Sequence, residues 1–576
     1  MKFSYHWLKE LTGYNQSPKE LAKFLTLRAF EVEYVEQAGS DWIIDISGKT
    51  IGPRMADAAS HIGLAREIAL LNGHTIKIKS PKVKKYSAHT TSPVLSVQLE
   101  SSEDCPRYTA RVITNVTVGL SPAWMRARLE TCGIQSINNI VDAANYVMLE
   151  TGQPLHIFDF DALEPSGTLA KTLFVRRAHK NEKLIALDEH TYALDSDIQI
   201  IADKKKPLAL AGVKGGKESG VSSATHTLIL ESANFNPFRV RTTTHKLNLH
   251  TDASYRFERG LDPNATRHAI DRLAELIQEI AGGVTLKGVI DVYPSKQKVT
   301  AIKFRPTYAN RLIGKELPHS FYTDAFKRLE WSTKSTKESF IVRPPTNRLD
   351  IKIEEDIVEE MARILDYRHI KPKMPEVFLA PAPPNDEWYW TSHAQDALVA
   401  AGFTESFLYE FIGAKELAAF GHDIQGVVAL ENPTRPEAAY LTPRILYQYV
   451  VSALDNLRHH AHISIFGLGK SFHVNSHGRM EEQKDLILAV GTREHEGEEE
   501  FYRLKGVLDA LFESLGITDH RYTEIAIDTN PRASAFHPHR ATAIKMGDDT
   551  VGIFGEIHPS ILSTLTKHSH VIAAEL

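Results

Sequence analysis

The sequence predicts a multidomain α+β protein, and three observations carry the prediction. A chain of 576 residues is too long for one hydrophobic core, so three or four domains are expected. Capped amphipathic segments and alternating strand-like runs both recur along it. Hydrophobic content of 42% and charged content of 24% are those of a soluble globular protein. No apolar run approaches the ~20 residues of a spanning helix, so no membrane is expected. The start, Met1 to Glu10, is amphipathic and lacks a signal-peptide core. Two cysteines, Cys105 and Cys132, can build neither a disulfide framework nor a cysteine zinc site, which suits a reducing cytoplasm. A net charge of −5 argues against a bulk electrostatic grip on nucleic acid. Any RNA contact is then made by local patches or by a partner.

The elements follow in order. Ser17-Pro18-Lys19-Glu20 is a capping box with proline first, and Leu21, Phe24 and Leu25 give its helix an apolar stripe. A second helix is expected from His61 to Leu71, before Asn72-Gly73. Lys77 to Lys85 is lysine-rich and reads as a solvated linker. The first domain is placed at 1–98. The second, 99–295, opens on the alternating strand Arg107–Ile113, followed by a helix from Ser121-Pro122 to Gly133. Strand-like runs recur at Thr172–Ala178, Leu184–Leu187, Ile198–Ile201 and Thr227–Leu230, and a long helix follows Asp262-Pro263. This domain is mixed, with strands dominating its middle. A small helix-containing domain is placed at 296–375. The last, 376–576, alternates helices (Trp388–Ala401, Tyr502–Leu515) with strands (Val427–Leu430, Leu486–Val490, Thr550–Ile553).

Three stretches of the second domain carry most of its polar chemistry. Gly133 to Asp159 sets Asn138, Asn139, Asp142 and Asn145 between apolar residues, then runs through Gln153-Pro154-Leu155-His156. Taken alone it reads as a loop with satisfied core amides and one histidine that leaves a turn after Pro154. Leu228-Ile229-Leu230-Glu231 is an apolar run that ends on a carboxylate, and His250 to Gly260 is a dense polar loop. In the small domain Asp356, Glu359 and Glu360 fall three and four residues apart, which assigns them one helix face. Acidic residues in a first turn also suit the helix dipole, so a solvated face is the plain reading. His459, His460 and His462 cluster, as do His537 and His539, on a chain with 27 histidines. No phosphate-cradling glycine loop, nucleophile elbow or metal-hydrolase motif is present.

In this order and wording, the three stretches and the glycines of Ala211-Gly212-Val213-Lys214-Gly215-Gly216 resemble the editing module of phenylalanyl-tRNA synthetase beta subunits. Glu431-Asn432-Pro433, Phe536-His537-Pro538-His539-Arg540 and Gly555-Glu556-Ile557-His558-Pro559 extend the resemblance into the last domain. It implies an N-terminal α/β domain, a strand-rich editing domain, a small domain that contacts the alpha subunit, and a catalytic-like class II synthetase domain with an antiparallel sheet. The oligonucleotide-binding insertion and the C-terminal ferredoxin-like anticodon-binding domain of relatives are expected to be missing. By resemblance, Asn145, His156 and Glu231 are the catalytic residues. Thr251, Ala253, Gly212, Gly215 and Gly216 line the substrate pocket. Asp350, Asp356, Glu359 and Glu360 hold Mg2+ at the contact with the alpha subunit. That partner uses ATP and supplies amino-acid activation. The implied assembly is a cytoplasmic dimer of alpha–beta heterodimers that binds tRNA(Phe). Ala144 and Gln135 depart from the threonine and arginine of some relatives, at positions facing substrate or tRNA.

The chemistry such a site needs follows from the substrates. An apolar pocket rejects an added hydroxyl by only ~10²-fold, so a phenylalanine enzyme gains from a second, hydrolytic site that hydrogen-bonds the phenol of tyrosine. Glu231 is assigned to the phenol, and Asn145 and His156 to the ester end or its water. The alternatives are a scaffold that supports the alpha subunit and positions tRNA without editing, and a free-standing deacylase, which has no use for the roughly 280 residues after the module.

Overall fold

The computed structural model describes residues 1–166, 170–493, 497–525, 531–565 and 569–576, in two units, Met1–Pro375 and Glu376–Leu576. Secondary structure begins with local signals. Ser17 caps the helix Pro18–Arg28 and Glu20 returns the bond, completing the capping box. Ser60 caps His61–Leu71 through Gly63 N–H. These helices, with Tyr5–Thr12, accompany a three-stranded sheet ordered Lys2–Ser4, Asp41–Ile46, Val32–Ala38.

The middle of the first unit is two sheets. A six-stranded sheet contains, side by side, Arg107–Val116, Leu228–Asn234 and His156–Asp159. A five-stranded sheet contains Leu95–Leu99, Lys171–Arg177, Gln199–Ala202, Pro207–Leu210 and Lys214–Gly215. Side chains alternate across a strand, so the central strand Leu228–Asn234 feeds two cores. Ile229 and Ala233 pack with Leu173, Ile200 and Leu208 of the second sheet. Leu228 and Leu230 pack with Ala143 and Val147 of the helix Asn139–Thr151 and with Ile270 and Leu273 of the helix Ala265–Ile280. A strand buried on both faces needs a continuous apolar run, and Leu228-Ile229-Leu230 supplies it.

Two expected loops are helices. Asn138 accepts from the N–H groups of Ile140 and Val141 and starts the helix Asn139–Thr151, which Gly152 ends in the left-handed region at φ 84°. The amides read as turn residues are a cap and its first turn. Thr251 likewise caps Asp252–Phe257.

In the small domain, helices Pro306–Ile313, His319–Arg328 and Glu354–Leu365 pack on a three-stranded sheet around Phe304, Phe326 and Met361. The second unit holds a seven-stranded sheet, antiparallel except where Thr404–Glu405 joins its edge in parallel. Ile487 and Ala489 face the helix Leu446–Asn456, while Leu488 and Val490 face the helices Asp386–Ala400 and Glu498–Ser514. Val427–Leu430, expected as a strand, makes only one bridge, Ala429 to Tyr440. Among the described residues no helix is long and apolar enough to cross a membrane.

Candidate functional site

Strand register brings His156 and Glu231 together. Glu231 stands opposite Ala110 on one neighbour and opposite His156 on the other. Residues opposite one another in antiparallel strands share a face, so these three point the same way, into the space between the two sheets. A cavity of about 70 Å³ lies there, lined by His156, Glu231, Gly212, Gly215, Ala253 and Phe257 among others.

The electrostatics follow from burial. Glu231 is 4% exposed, and desolvation raises its carboxyl to about 8 against a downward pull from the Tyr108 hydroxyl. Desolvation lowers the His156 imidazole to about 4, so the ring is neutral at pH 7. Glu231 Oε2 and His156 Nε2 are both buried without a hydrogen-bond partner. An orphaned buried polar atom costs about 1–3 kcal/mol, and folded proteins keep few. Two of them on adjacent strands mark bonds that a bound molecule can complete.

The glycines have packing reasons. A Cβ on Gly215 would stand 2.3 Å from His156 Cε1, so the imidazole occupies the space a side chain would need. Gly212 has φ +70°, and its Cβ would meet Phe235 at 2.9 Å. A Cβ on Gly216 would meet the Leu208 carbonyl oxygen at 2.5 Å. The resemblance placed all three in the lining of the substrate pocket. The structure sets Gly212 and Gly216 against protein atoms, and only Gly212 and Gly215 line the cavity. Thr251 is engaged as well: its hydroxyl accepts from Ser254 N–H at 3.1 Å and donates to the Val213 carbonyl at 2.8 Å. It ties the start of its helix to a residue of the cavity wall. Ala253 lines the cavity directly. Asn145 does not; it is half-buried on the helix Asn139–Thr151.

Tyr108 was missed by the sequence reading. The alternation of Arg107–Ile113 puts Tyr108 and Ala110 on one face, but only the register shows that this face holds Glu231.

The four acidic residues of the small domain do not converge. Glu359 is exposed, whereas Glu360 is 3% exposed, so the single face assigned to them is corrected. Adjacent helical residues point about 100° apart, and here that turn separates solvent from core. Glu360 accepts from Arg348 at 2.9 Å and from Arg363 at 2.6 and 2.7 Å. Arg348 also holds Asp350 at 2.6 Å. Arg363 reaches Glu67 of the first domain, which Arg54 also holds at 2.8 Å. Asp356 accepts from the N–H groups of Lys352 and Ile353 and caps the helix start. Among the described residues no group of three or more histidines, cysteines or carboxylates could hold a metal ion. Magnesium held by these four carboxylates does not fit this bonding. Two are neutralised by arginine and a third caps a helix. The same absence covers the described histidine clusters at 459–462 and 537–539. A second cavity, about 530 Å³, borders the network, and charges on its wall pair with each other, Arg54 with Asp57 and Glu67.

Three domain families match the chain: the B3/4 domain over residues 104–282, the tRNA synthetase B5 domain over 302–367, and the phenylalanyl tRNA synthetase beta chain CLM domain over 370–576. The site described above lies within the first. Similar curated proteins bear the name phenylalanine–tRNA ligase beta subunit. That of Syntrophus aciditrophicus is 36% identical over 553 residues, 93% of this chain and 67% of that protein. That of Geobacter sulfurreducens is 36% identical over 524 residues, covering 88% and 64%. That of Thermotoga maritima is 32% identical over 564 residues, covering 96% and 69%. The chain thus spans about two thirds of the length of the curated relatives it matches.

Proposed function

This chain belongs to the family of phenylalanine–tRNA ligase beta subunits, and from that premise we propose that it supports an alpha subunit in charging tRNA(Phe) and hydrolyses tyrosyl-tRNA(Phe) between Glu231 and His156. ATP is used on the alpha subunit, in a cytoplasmic dimer of alpha–beta heterodimers. Magnesium bound by Asp350, Asp356, Glu359 and Glu360 is not part of the proposal, because their bonding does not fit it.

One observation supports the hydrolytic half. Glu231 and His156 face each other across strand register, and each keeps a buried atom without a partner at one small cavity. Raised to about 8, the Glu231 carboxyl is ionised in a minority of molecules at pH 7, and in that form it accepts the phenol of a tyrosyl group. A phenylalanyl group offers it nothing, so the desolvated oxygen stays unpaired and correct product is disfavoured. The neutral His156 accepts through Nε2 from the attacking water or orients the ester end. Among the described residues the cavity lining holds no serine, threonine or cysteine, so water attacks the ester directly. At about 70 Å³ the cavity is far below the roughly 300 Å³ of ordinary ligand pockets, so entry of a tyrosyl ring displaces wall side chains.

The test is Glu231→Ala in the complex with the alpha subunit. A charge-assisted bond contributes about 1.5–3 kcal/mol, so tyrosyl-tRNA hydrolysis should fall roughly ten- to a hundred-fold, with phenylalanine charging intact. Equal rates for parent and variant would remove Glu231 from phenol reading. No hydrolysis by the parent would favour the scaffold alternative.

A further inference from the structure

Three buried polar atoms on the cavity face of the six-stranded sheet have no hydrogen-bond partner: Glu231 Oε2, His156 Nε2 and the Tyr108 hydroxyl. The first two belong to the proposed hydrolytic site. Tyr108 does not line the cavity. It is fully buried, at 0% exposure. Its place is set by register. Tyr108 pairs with Ala233 and sits two residues from Ala110, the partner of Glu231. Tyr108 and Glu231 are therefore diagonal neighbours on one face, a separation that an aromatic side chain spans.

Lys214 of the facing sheet lines the same cavity but is held by Asp188 at 2.8 Å, and the other groups that face Glu231 come from three places. Tyr108 comes from the strand on one side, His156 from the strand on the other, and Cys105 from the turn before Tyr108. Cys105 is kept neutral by its burial and by Glu231 itself, and His156 is neutral at pH 7. Tyr108 is left as the one donor that favours the ionised carboxyl.

We propose that Tyr108 is a positioning residue: its hydroxyl donates to one oxygen of the Glu231 carboxylate and holds the other toward the substrate phenol. A carboxylate that reads a phenol in a dry site has to be both ionised and aimed. One buried donor behind it serves both needs, because its bond to the ionised carboxylate is stronger than its bond to the protonated carboxyl. The inference rests on the hydrolytic reading above, and the test separates the two.

Tyr108→Phe removes one buried, unpartnered oxygen and keeps the ring, so the variant should fold and melt with the parent. Two readouts are taken in the complex with the alpha subunit. The first is the titration of the Glu231 carboxyl by infrared difference against Glu231→Gln. The second is tyrosyl-tRNA hydrolysis between about pH 6 and 9. Losing a donor to the ionised form should move the titration upward by about one to two pH units. The rising limb of hydrolysis should move with it, and the rate at pH 7 should fall roughly ten-fold per unit. An unmoved titration overturns the proposal, whether or not the parent hydrolyses. A titration that moves in a protein that never hydrolyses tyrosyl-tRNA leaves Tyr108 in this role toward Glu231 and overturns the hydrolytic reading instead. A moved titration with an unmoved hydrolysis profile overturns the catalytic consequence.

Discussion

Glu360→Ala should destabilise the first unit, while Glu359→Ala, one residue away, should not. Glu360 is 3% exposed and bonds Arg348 and Arg363 at 2.6 to 2.9 Å. Removing one partner of a buried ion pair costs about 3–5 kcal/mol, because the other charge stays desolvated. Here each arginine keeps a second partner, Asp350 for Arg348 and Glu67 for Arg363, so the low end, about 3 kcal/mol, is expected. At about 2 °C per kcal/mol that is a fall of roughly 6 °C in Tm. Exposed Glu359 should change stability by less than about 0.5 kcal/mol. Burial pushes the Glu360 carboxyl up, but Arg363 and Arg348 more than offset it and hold the group well below the glutamate range. A folded-state value below the unfolded one means the contribution is complete at neutral pH and is lost as pH falls. The gap between parent and variant should therefore be constant above the ordinary glutamate value of 4.5 and narrow below it. The assay is thermal melting at several pH values, with and without a magnesium chelator. A chelator that lowers the parent to the level of Glu360→Ala, or a variant that melts with the parent, would refute the ion-network account.

Other outcomes can be checked in the same preparations. Gly215→Ala puts a methyl 2.3 Å from His156 Cε1, so the ring must leave its place; tyrosyl-tRNA hydrolysis should fall at least ten-fold while phenylalanine charging by the complex is kept. Thr251→Ala removes the cap of Asp252–Phe257 and the bond to Val213, which should cost about 1–2 kcal/mol and lower Tm by a few degrees, measured by melting.

Local signals were legible in the sequence wherever a few neighbouring residues decide the outcome. The capping box at Ser17, the helix His61–Leu71 and the strand at Arg107–Ile113 reappear in the structure, the strand buried on both faces. So does the apolar run Leu228–Leu230, as the first part of a strand buried on both faces, although that strand continues through Glu231 to Asn234 rather than ending at the carboxylate. Where two local readings compete, the same composition misleads. Asn138 and Thr251 looked like loop residues and are caps, since a side chain that favours turns also satisfies the first N–H groups of a helix. Val427–Leu430 had strand composition but lacks a neighbouring strand beyond one bridge. Tertiary structure alone decided which distant residues meet. His156 faces Glu231, and Tyr108 lies beside it, through a pairing register that no local pattern encodes, because a slip of one residue would turn every side chain to the other face. The split between Glu359 and Glu360 has the same origin. Their spacing is fixed by the helix, but which one enters the core depends on where Arg348 and Arg363 stand.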